Sequence, residues 1–160
     1  MGRKILFCFF LTIVLFSLPA ETVFVYIEKG NIVLNNAIDE KTSLWITRIE
    51  DGMMDILFDN GHIVFSNDSG RNQIEDFEAL NQLAKSGGAS FLVSAILNLN
   101  ISDEEMIISG EYKVYDLYTD DVIYENNYIF NDDLKKQTNN IEENLYLAGQ
   151  SVAKQIEPAL

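Results

Sequence analysis

Carboxylates are the most abundant reactive groups in this 160-residue sequence, which carries 25 Asp and Glu against 11 Lys and Arg. A close pair of carboxylates works as general acid and base, and a larger group binds calcium through oxygen ligands. Two clusters invite that reading: Asp116, Asp120 and Asp121 around one turn, and Asp103-Glu104-Glu105 at another. Neither has the spacing of an EF-hand loop. Aspartate favours turns because its side chain bonds nearby backbone, so both clusters read as solvated turn acids. Asn67-Asp68-Ser69-Gly70 offers an ion cradle on paper and reads as a turn for the same reason. Ser66, Ser90 and Ser94 lack the Gly-x-Ser-x-Gly elbow of a hydrolase nucleophile, and no glycine-rich phosphate loop is present. One histidine, His62, and one cysteine, Cys8, supply neither a zinc site nor a Cys–His pair. No catalytic residue, metal or cofactor is expected. The alternative is a small envelope hydrolase using paired carboxylates. A pocket holding two close carboxylates, one with a strongly shifted pKa, would favour it.

The second unusual feature is tyrosine. Five of seven fall at positions 112, 115, 118, 124 and 128, all in one expected hairpin. A three-residue loop, 119–121, would pair Tyr118 with Val122, Asp116 with Tyr124 and Tyr112 with Tyr128. A two-residue loop would set Asp116 against Glu125, and like charges directly opposite are unfavourable. The longer loop is therefore expected. It places Tyr112, Tyr118, Tyr124 and Tyr128 on one face with Val114 and Asp116, a face that helices would cover. Tyr115 then points the other way, flanked by Lys113 and Leu117 and opposite Glu125. This mixed polar setting reads as an exposed sheet face, and tyrosine is enriched at protein interfaces. Tyr115, Lys113, Leu117 and Glu125 are the candidate partner-binding residues.

Periodicity supplies the elements that must hold this hairpin. Residues 22–27, 62–66, 90–100, 106–118 and 122–130 read as strands, with 28–36 as a loop because of Gly30 and its asparagines. Apolar residues at helical spacing mark helices over 38–59, 73–86 and 139–157. Asp39-Glu40 favours the start of the first helix, and Asn60-Gly61 and Gly87-Gly88 read as stops. Ile141, Leu145, Ala148, Val152 and Ile156 form the clearest stripe. The order β-α-β-α-β-β-β-α is α/β in character, a five-stranded mixed sheet with three helices packed on it. Helical crossovers favour parallel pairing of the first three strands, and the last three form a meander.

The amino-terminal end carries an address. Met1-Gly2-Arg3-Lys4 is basic, Ile5 to Leu18 is an apolar run, and Ala20 offers a small residue before the first acid, Glu21. This is the layout of a secretory signal. The run has fourteen residues, short of the ~20 a spanning helix needs. Residues 1–20 are thus expected to be a signal peptide cleaved near Ala20, with 21–160 forming one envelope binding domain in the periplasm or secreted. An uncleaved segment would instead make an inner-membrane-tethered accessory domain, with membrane contact through that segment alone. Cys8, inside the apolar run and preceded by Phe7, is a small hydrophobe and no lipid attachment site. The formal charge of −14 repels phosphate backbones, so nucleic acid is not an expected partner.

Three stretches carry a family resemblance. They are Met53-Met-Asp-Ile-Leu-Phe-Asp-Asn-Gly-His-Ile-Val-Phe65, Leu83-Ala-Lys-Ser-Gly-Gly-Ala-Ser-Phe-Leu-Val-Ser-Ala-Ile96 and Tyr112-Lys-Val-Tyr-Asp-Leu-Tyr-Thr-Asp-Asp-Val-Ile-Tyr124. With the element order, they resemble a family of bacterial envelope domains that includes the TolB amino-terminal domain, the penicillin-binding-protein activator LpoB and the curli secretion protein CsgG. The lipobox of LpoB-like activators is missing, and the strand connections are too short for CsgG-like membrane hairpins. The resemblance implies a non-catalytic protein-binding or scaffolding module whose partner is another envelope protein.

Overall fold

The structure, a computed structural model, describes residues 20–34, 41–101, 106–130 and 141–160. Residues 1–19 of the expected signal peptide, with Cys8, and also Ile38, Asp39-Glu40 and Asp103-Glu104-Glu105 lie outside the described residues. Five strands form one mixed sheet: β1 (Thr22–Leu34), β2 (Ile63–Phe65), β3 (Phe91–Ile101), β4 (Met106–Asp116) and β5 (Asp121–Phe130), in spatial order β2-β1-β3-β4-β5. Three helices pack on it: α1 (Thr42–Asp59), α2 (Phe77–Ser86) and α3 (Ile141–Ile156), followed by a 3-10 turn at Glu157–Ala159. β1 pairs in parallel with β2 and β3, while β3, β4 and β5 are antiparallel. The expected element order and pairing directions are those observed.

β1 runs on to Leu34, where a loop over 28–36 was expected. Gly30 and the asparagines mark a bulge, with the β1–β3 register shifting between Lys29 and Ile32. A Cβ on Gly30 would collide with Asn98 Oδ1, and the same oxygen accepts the Asn31 N–H at 2.8 Å. Glycine here permits close approach without ending the strand. α2 begins at Phe77, four residues later than its apolar period indicates. Asp76, itself extended, caps it by accepting the Glu78 N–H at 3.1 Å, and Gln73 and Ile74 stay out of the helix, bonded to β1 instead. Gln73 bonds the backbone of Lys29 and Ile27, and Tyr26 Oη both accepts the Ile74 N–H and donates to the Ile74 carbonyl. Both helix stops are as expected. Gly61 has φ +94° and Gly88 φ +81°, and the next residue in each case donates to the carbonyl five back.

The core divides between the two sheet faces. On the first, Val23, Val25, Ile27, Val93, Ala95, Leu97, Ile108, Tyr112 and Val114 are buried under α1 and α3. The α3 stripe is as read: Leu145, Ala148, Val152 and Ile156 are buried, with Ile141 packed at its start. Gly52 of α1 and Gly149 of α3 let the two backbones touch. A Cβ on Gly52 would run into the Tyr146 carbonyl oxygen, and one on Gly149 into that of Ile49. The second face holds a smaller cluster of Phe24, Tyr26, Leu92 and Leu117 under Leu80 and Ala84 of α2.

The hairpin register differs from expectation. Tyr112 faces Asn126 rather than Tyr128, Val114 faces Tyr124, and a bulge precedes the Tyr115↔Val122 and Asp116↔Asp121 pairs. The turn spans residues 117–120. Asp116 and Asp121 are thus opposite after all. The Asp116 carboxylate accepts the N–H groups of Tyr118 and Thr119, at 2.8 and 3.2 Å, so it points into its own turn rather than across the ladder. Tyr112 and Tyr128 are buried on the first face with Tyr124 packed beside them. Tyr118, expected on that face, is 84% exposed in the turn.

Candidate functional site

Alternation along β3 and β4 sends Leu92, Ser94, Ile96 and Asn98, and Ser109, Glu111, Lys113 and Tyr115, to the second face. α2 has ten residues and covers only the end of that face nearest the β4–β5 turn. The remainder is an open half-face. It carries Ser94, Lys113 and Glu125 in one row and Ile96, Glu111 and Asn127 in the next. Lys113 Nζ lies 3.6 Å from Glu111 and 3.9 Å from Glu125, a weak surface ion-pair cluster. Between β3 and β5 the half-face dips into a shallow groove of about 570 Å³ lined by Ile96, Asn98, Asn127 and Ile129. Ile129 is 69% exposed. Beside it runs the outer edge of β5, where Val122 and Ile123 are also exposed. Among the described residues no strand pairs with that edge.

The four candidate residues divide between the covered and open parts of this face. Lys113 and Glu125 lie on the open half. Tyr115 is half-buried at the boundary, its ring 4.7 Å from that of Phe77 on α2. Leu117, expected on an exposed face, is buried in the smaller cluster because α2 overlies the turn. Burial pushes the Tyr115 hydroxyl up, with Lys113 opposing and Glu111, Glu125 and Glu28 reinforcing. A cleft of about 270 Å³ opens between α2 and the turn, with Phe77 and Tyr115 on one side and Asn81, Lys85 and Asp120 on the other. Asp120 Oδ1 accepts from Lys85 Nζ at 2.5 Å and from Asn81 Nδ2 at 3.1 Å, ties that hold its carboxyl below the usual carboxylate range. Turn chemistry alone places Asp120 in the hairpin, but Phe77, Asn81 and Lys85 reach it only through the placement of α2, which sequence reasoning missed.

A second cleft, about 530 Å³, lies beside α1 and the segment after β2. Glu50, Asp51 and Asp68 share its walls, so it is the described cleft where paired carboxylates would be sought. Burial pushes the Glu50 carboxyl up and Asp68 adds to it, against hydrogen bonds from Ser69 and Ser66. Glu50 Oε1 accepts Ser69 Oγ–H at 2.5 Å and Ser69 N–H at 3.3 Å, and Ser69 Oγ accepts the Ile27 N–H at 3.1 Å. The carboxylate therefore fastens the loop after β2 to both α1 and β1. The Asn67–Gly70 stretch is the expected turn, with Asp68 at φ +58° and its carbonyl accepting the Arg71 and Asn72 N–H groups. His62 Nδ1 is buried without a hydrogen-bond partner among the described residues. Among those residues no group of three or more His, Cys, Asp and Glu forms a metal site, and no helix is long and apolar enough to cross a membrane.

No family model matches the chain. No curated protein sequence matches it either. Solved structures do. A PelC dodecamer from Paraburkholderia phytofirmans superposes with a TM-score of 0.56 at 13% identity, covering 88% of this chain and 89% of that one. The hypothetical protein CT253 from Chlamydia trachomatis gives 0.52 at 11% identity over 86% and 94%. Lipoprotein GNA1162 from Neisseria meningitidis gives 0.50 at 12% identity over 88% and 99%. The LpoB C-terminal domain from Salmonella enterica and TolB from Acinetobacter baumannii also match, with TM-scores of 0.46 and 0.43. The likeness is one of fold. At these identities it carries no residue from one chain to another.

Proposed function

We propose that the chain is an exported, non-catalytic module of the bacterial cell envelope that binds another envelope protein through the second face of its sheet. The observation that carries this reading is the open half-face around Lys113 and Glu125, continuous with the edge of β5 that no strand pairs among the described residues, and its exposed Val122, Ile123 and Ile129. An open edge supplies a row of backbone donors and acceptors to an added strand, and neighbouring side chains then select it. The tripartite amino terminus supports export, as does the fold shared with a neisserial lipoprotein. A non-catalytic role is favoured over a paired-carboxylate hydrolase because Glu50 is committed to Ser69 and the loop after β2.

Photo-crosslinkers placed at positions 125 and 129, with position 154 on α3 as control, test the surface in cells. A discrete envelope-protein adduct from 125 or 129 and none from 154 is expected; the reverse pattern rejects this face. Export has its own check. The mature protein is expected to begin at or near Glu21, and recovery of the chain with Met1 in the membrane fraction would mean a tethered domain instead. A second copy of this chain competes as the occupant of the β5 edge, since PelC was solved as a dodecamer. The net charge of −14 opposes such packing, and light scattering of the purified protein decides it.

A further inference from the structure

The cleft between α2 and the β4–β5 turn has the chemistry of a receptor for one side chain. Its first wall is aromatic: Phe77 is 44% exposed and lies against Tyr115. Its second wall holds Asn81, which is 7% exposed and directs Nδ2 to Asp120. The other amide atom, Asn81 Oδ1, is buried and has no hydrogen-bond partner among the described residues. An unpaired buried acceptor is destabilising until a donor reaches it. The surroundings are negative. Glu78 and Asp120 line the cleft with Lys85, and Glu28, Glu111 and Glu125 act on Tyr115 with Lys113. The lining itself thus holds two carboxylates against one ammonium group, and the charges acting on Tyr115 are three carboxylates against one.

An occupant suited to these walls donates an N–H, carries positive charge and lays a flat surface on a ring. A guanidinium does all three, being planar, permanently charged, rich in donors and able to stack on aromatic faces. A lysine ammonium brings the charge without the plane. We propose that the cleft receives an arginine side chain carried on an extended segment of a partner protein. The inference rests on the protein-binding reading above and gives the partner's chemistry: a basic segment, running from the cleft toward Lys113 and Glu125.

Titrating the isotopically labelled protein with acetyl-Ala-Arg-Leu-Ala-amide, and with peptides carrying lysine or citrulline instead, tests it by NMR. The arginine peptide is expected to shift the Asn81 side-chain amide and the Phe77 and Tyr115 rings. The citrulline peptide, an isostere without the charge, and the lysine peptide should each bind about tenfold more weakly. Asn81→Ala should weaken the arginine peptide by about tenfold as well. Phe77→Ser, a change at an exposed position, should weaken it severalfold with the circular dichroism spectrum unchanged. The inference is overturned if citrulline binds as well as arginine, if spermidine displaces the arginine peptide at equal concentration, or if the arginine peptide leaves Asn81 unshifted. In any of those cases adducts from positions 125 and 129 would still uphold a protein-binding face. Loss of those adducts would remove the broader reading instead.

Discussion

The two faces of the sheet are built to different ends from the same strands. Along β3, the residues facing α1 and α3 are Val93, Ala95, Leu97 and Leu99, all buried. Those facing α2 begin with buried Leu92 and continue as Ser94, Ile96 and Asn98, none of them fully buried. The first face has two long helices whose backbones meet at Gly52 and Gly149. The second has one helix of ten residues, and where it stops the side chains become polar. Stability therefore concentrates on the first face, and accessible strand surface on the second. A face closed by two helices presents no strand surface to a partner, whereas a half-covered face offers a groove, a cleft and an adjoining edge.

The largest expected effects belong to the first face. Leu145→Ala, at a fully buried position, should cost about 2–5 kcal/mol in a denaturant titration. Tyr112→Ala should cost about 3–5 kcal/mol, comparable with other large aromatic truncations. The Tyr112 ring packs on Tyr124 and Tyr128, and its hydroxyl donates to Gln155 at 3.0 Å, with burial pushing its pKa to about 12. Tyr115→Ala on the second face should cost less, about 1–2 kcal/mol, since its ring is only half-buried, at the margin of the smaller cluster and against Phe77. Equal losses for Tyr112→Ala and Tyr115→Ala would break the contrast between the faces. A Tyr115→Ala loss above that of Tyr112→Ala would invert it.

This contrast is partly legible in the sequence. The 4, 3, 4, 4 spacing from Ile141 to Ile156 identifies α3 and its buried stripe, because a helix against a sheet must keep one apolar face. The helical stretches between the first three strands fix their parallel pairing. Local geometry decided by tertiary contacts is not legible in the same way. Gly30 reads as a loop residue, yet it is the point where β1 closes on Asn98 of β3. The like-charge argument at Asp116 misjudges the register because it sets the carboxylate across the ladder, whereas the side chain bonds its own turn amides. Simple alternation puts Leu117 beside Tyr115 on an open face, but the strand ends at Asp116 and α2 closes over the turn beyond it. The gathering of Phe77, Asn81 and Lys85 around the cleft leaves no signal in the sequence, since spacing within α2 does not say which part of the sheet it covers.

Glu50 provides an intermediate test, at the join between α1 and the loop after β2. Glu50→Leu should cost about 1–3 kcal/mol, because the buried Ser69 N–H and Oγ–H lose their acceptor. Glu50→Gln keeps a carbonyl oxygen there and should be far milder. The pH dependence has a definite sign. Burial raises the Glu50 pKa in the folded protein above its usual 4.5, so folding binds the proton more tightly than the unfolded chain does. The stabilisation from this group is complete below the unfolded value and is lost as pH rises through the folded one. The stability of wild type relative to Glu50→Gln should therefore decline from about pH 4 toward neutrality. A flat difference curve would mean that Ser69 and Ser66 compensate the burial fully.

The smallest effect is expected at Asp120, where α2 and the hairpin are fastened by exposed groups. Position 120 has φ +62°, a conformation that asparagine accepts as readily as aspartate, so Asp120→Asn removes charge without straining the turn. The Lys85 bond keeps the Asp120 carboxyl below its usual range. Its contribution is therefore complete above the ordinary carboxylate pKa and is lost progressively as pH falls from there through the depressed value. Global stability should barely change in Asp120→Asn, because exposed ion pairs contribute little and are screened by salt. The local signature should be clearer: the amide at position 120, which donates to the Asp116 carbonyl at 2.9 Å, should exchange faster at neutral pH in Asp120→Asn than in wild type. Raising the salt concentration should narrow the gap. If exchange is unchanged in both conditions, the turn is held by Asp116 and the apolar contact of Leu117 alone. The Asp120 side of the cleft would then be free to turn toward an incoming cation, which would sharpen the difference between a face that locks the fold and one that leaves charged groups open to solvent.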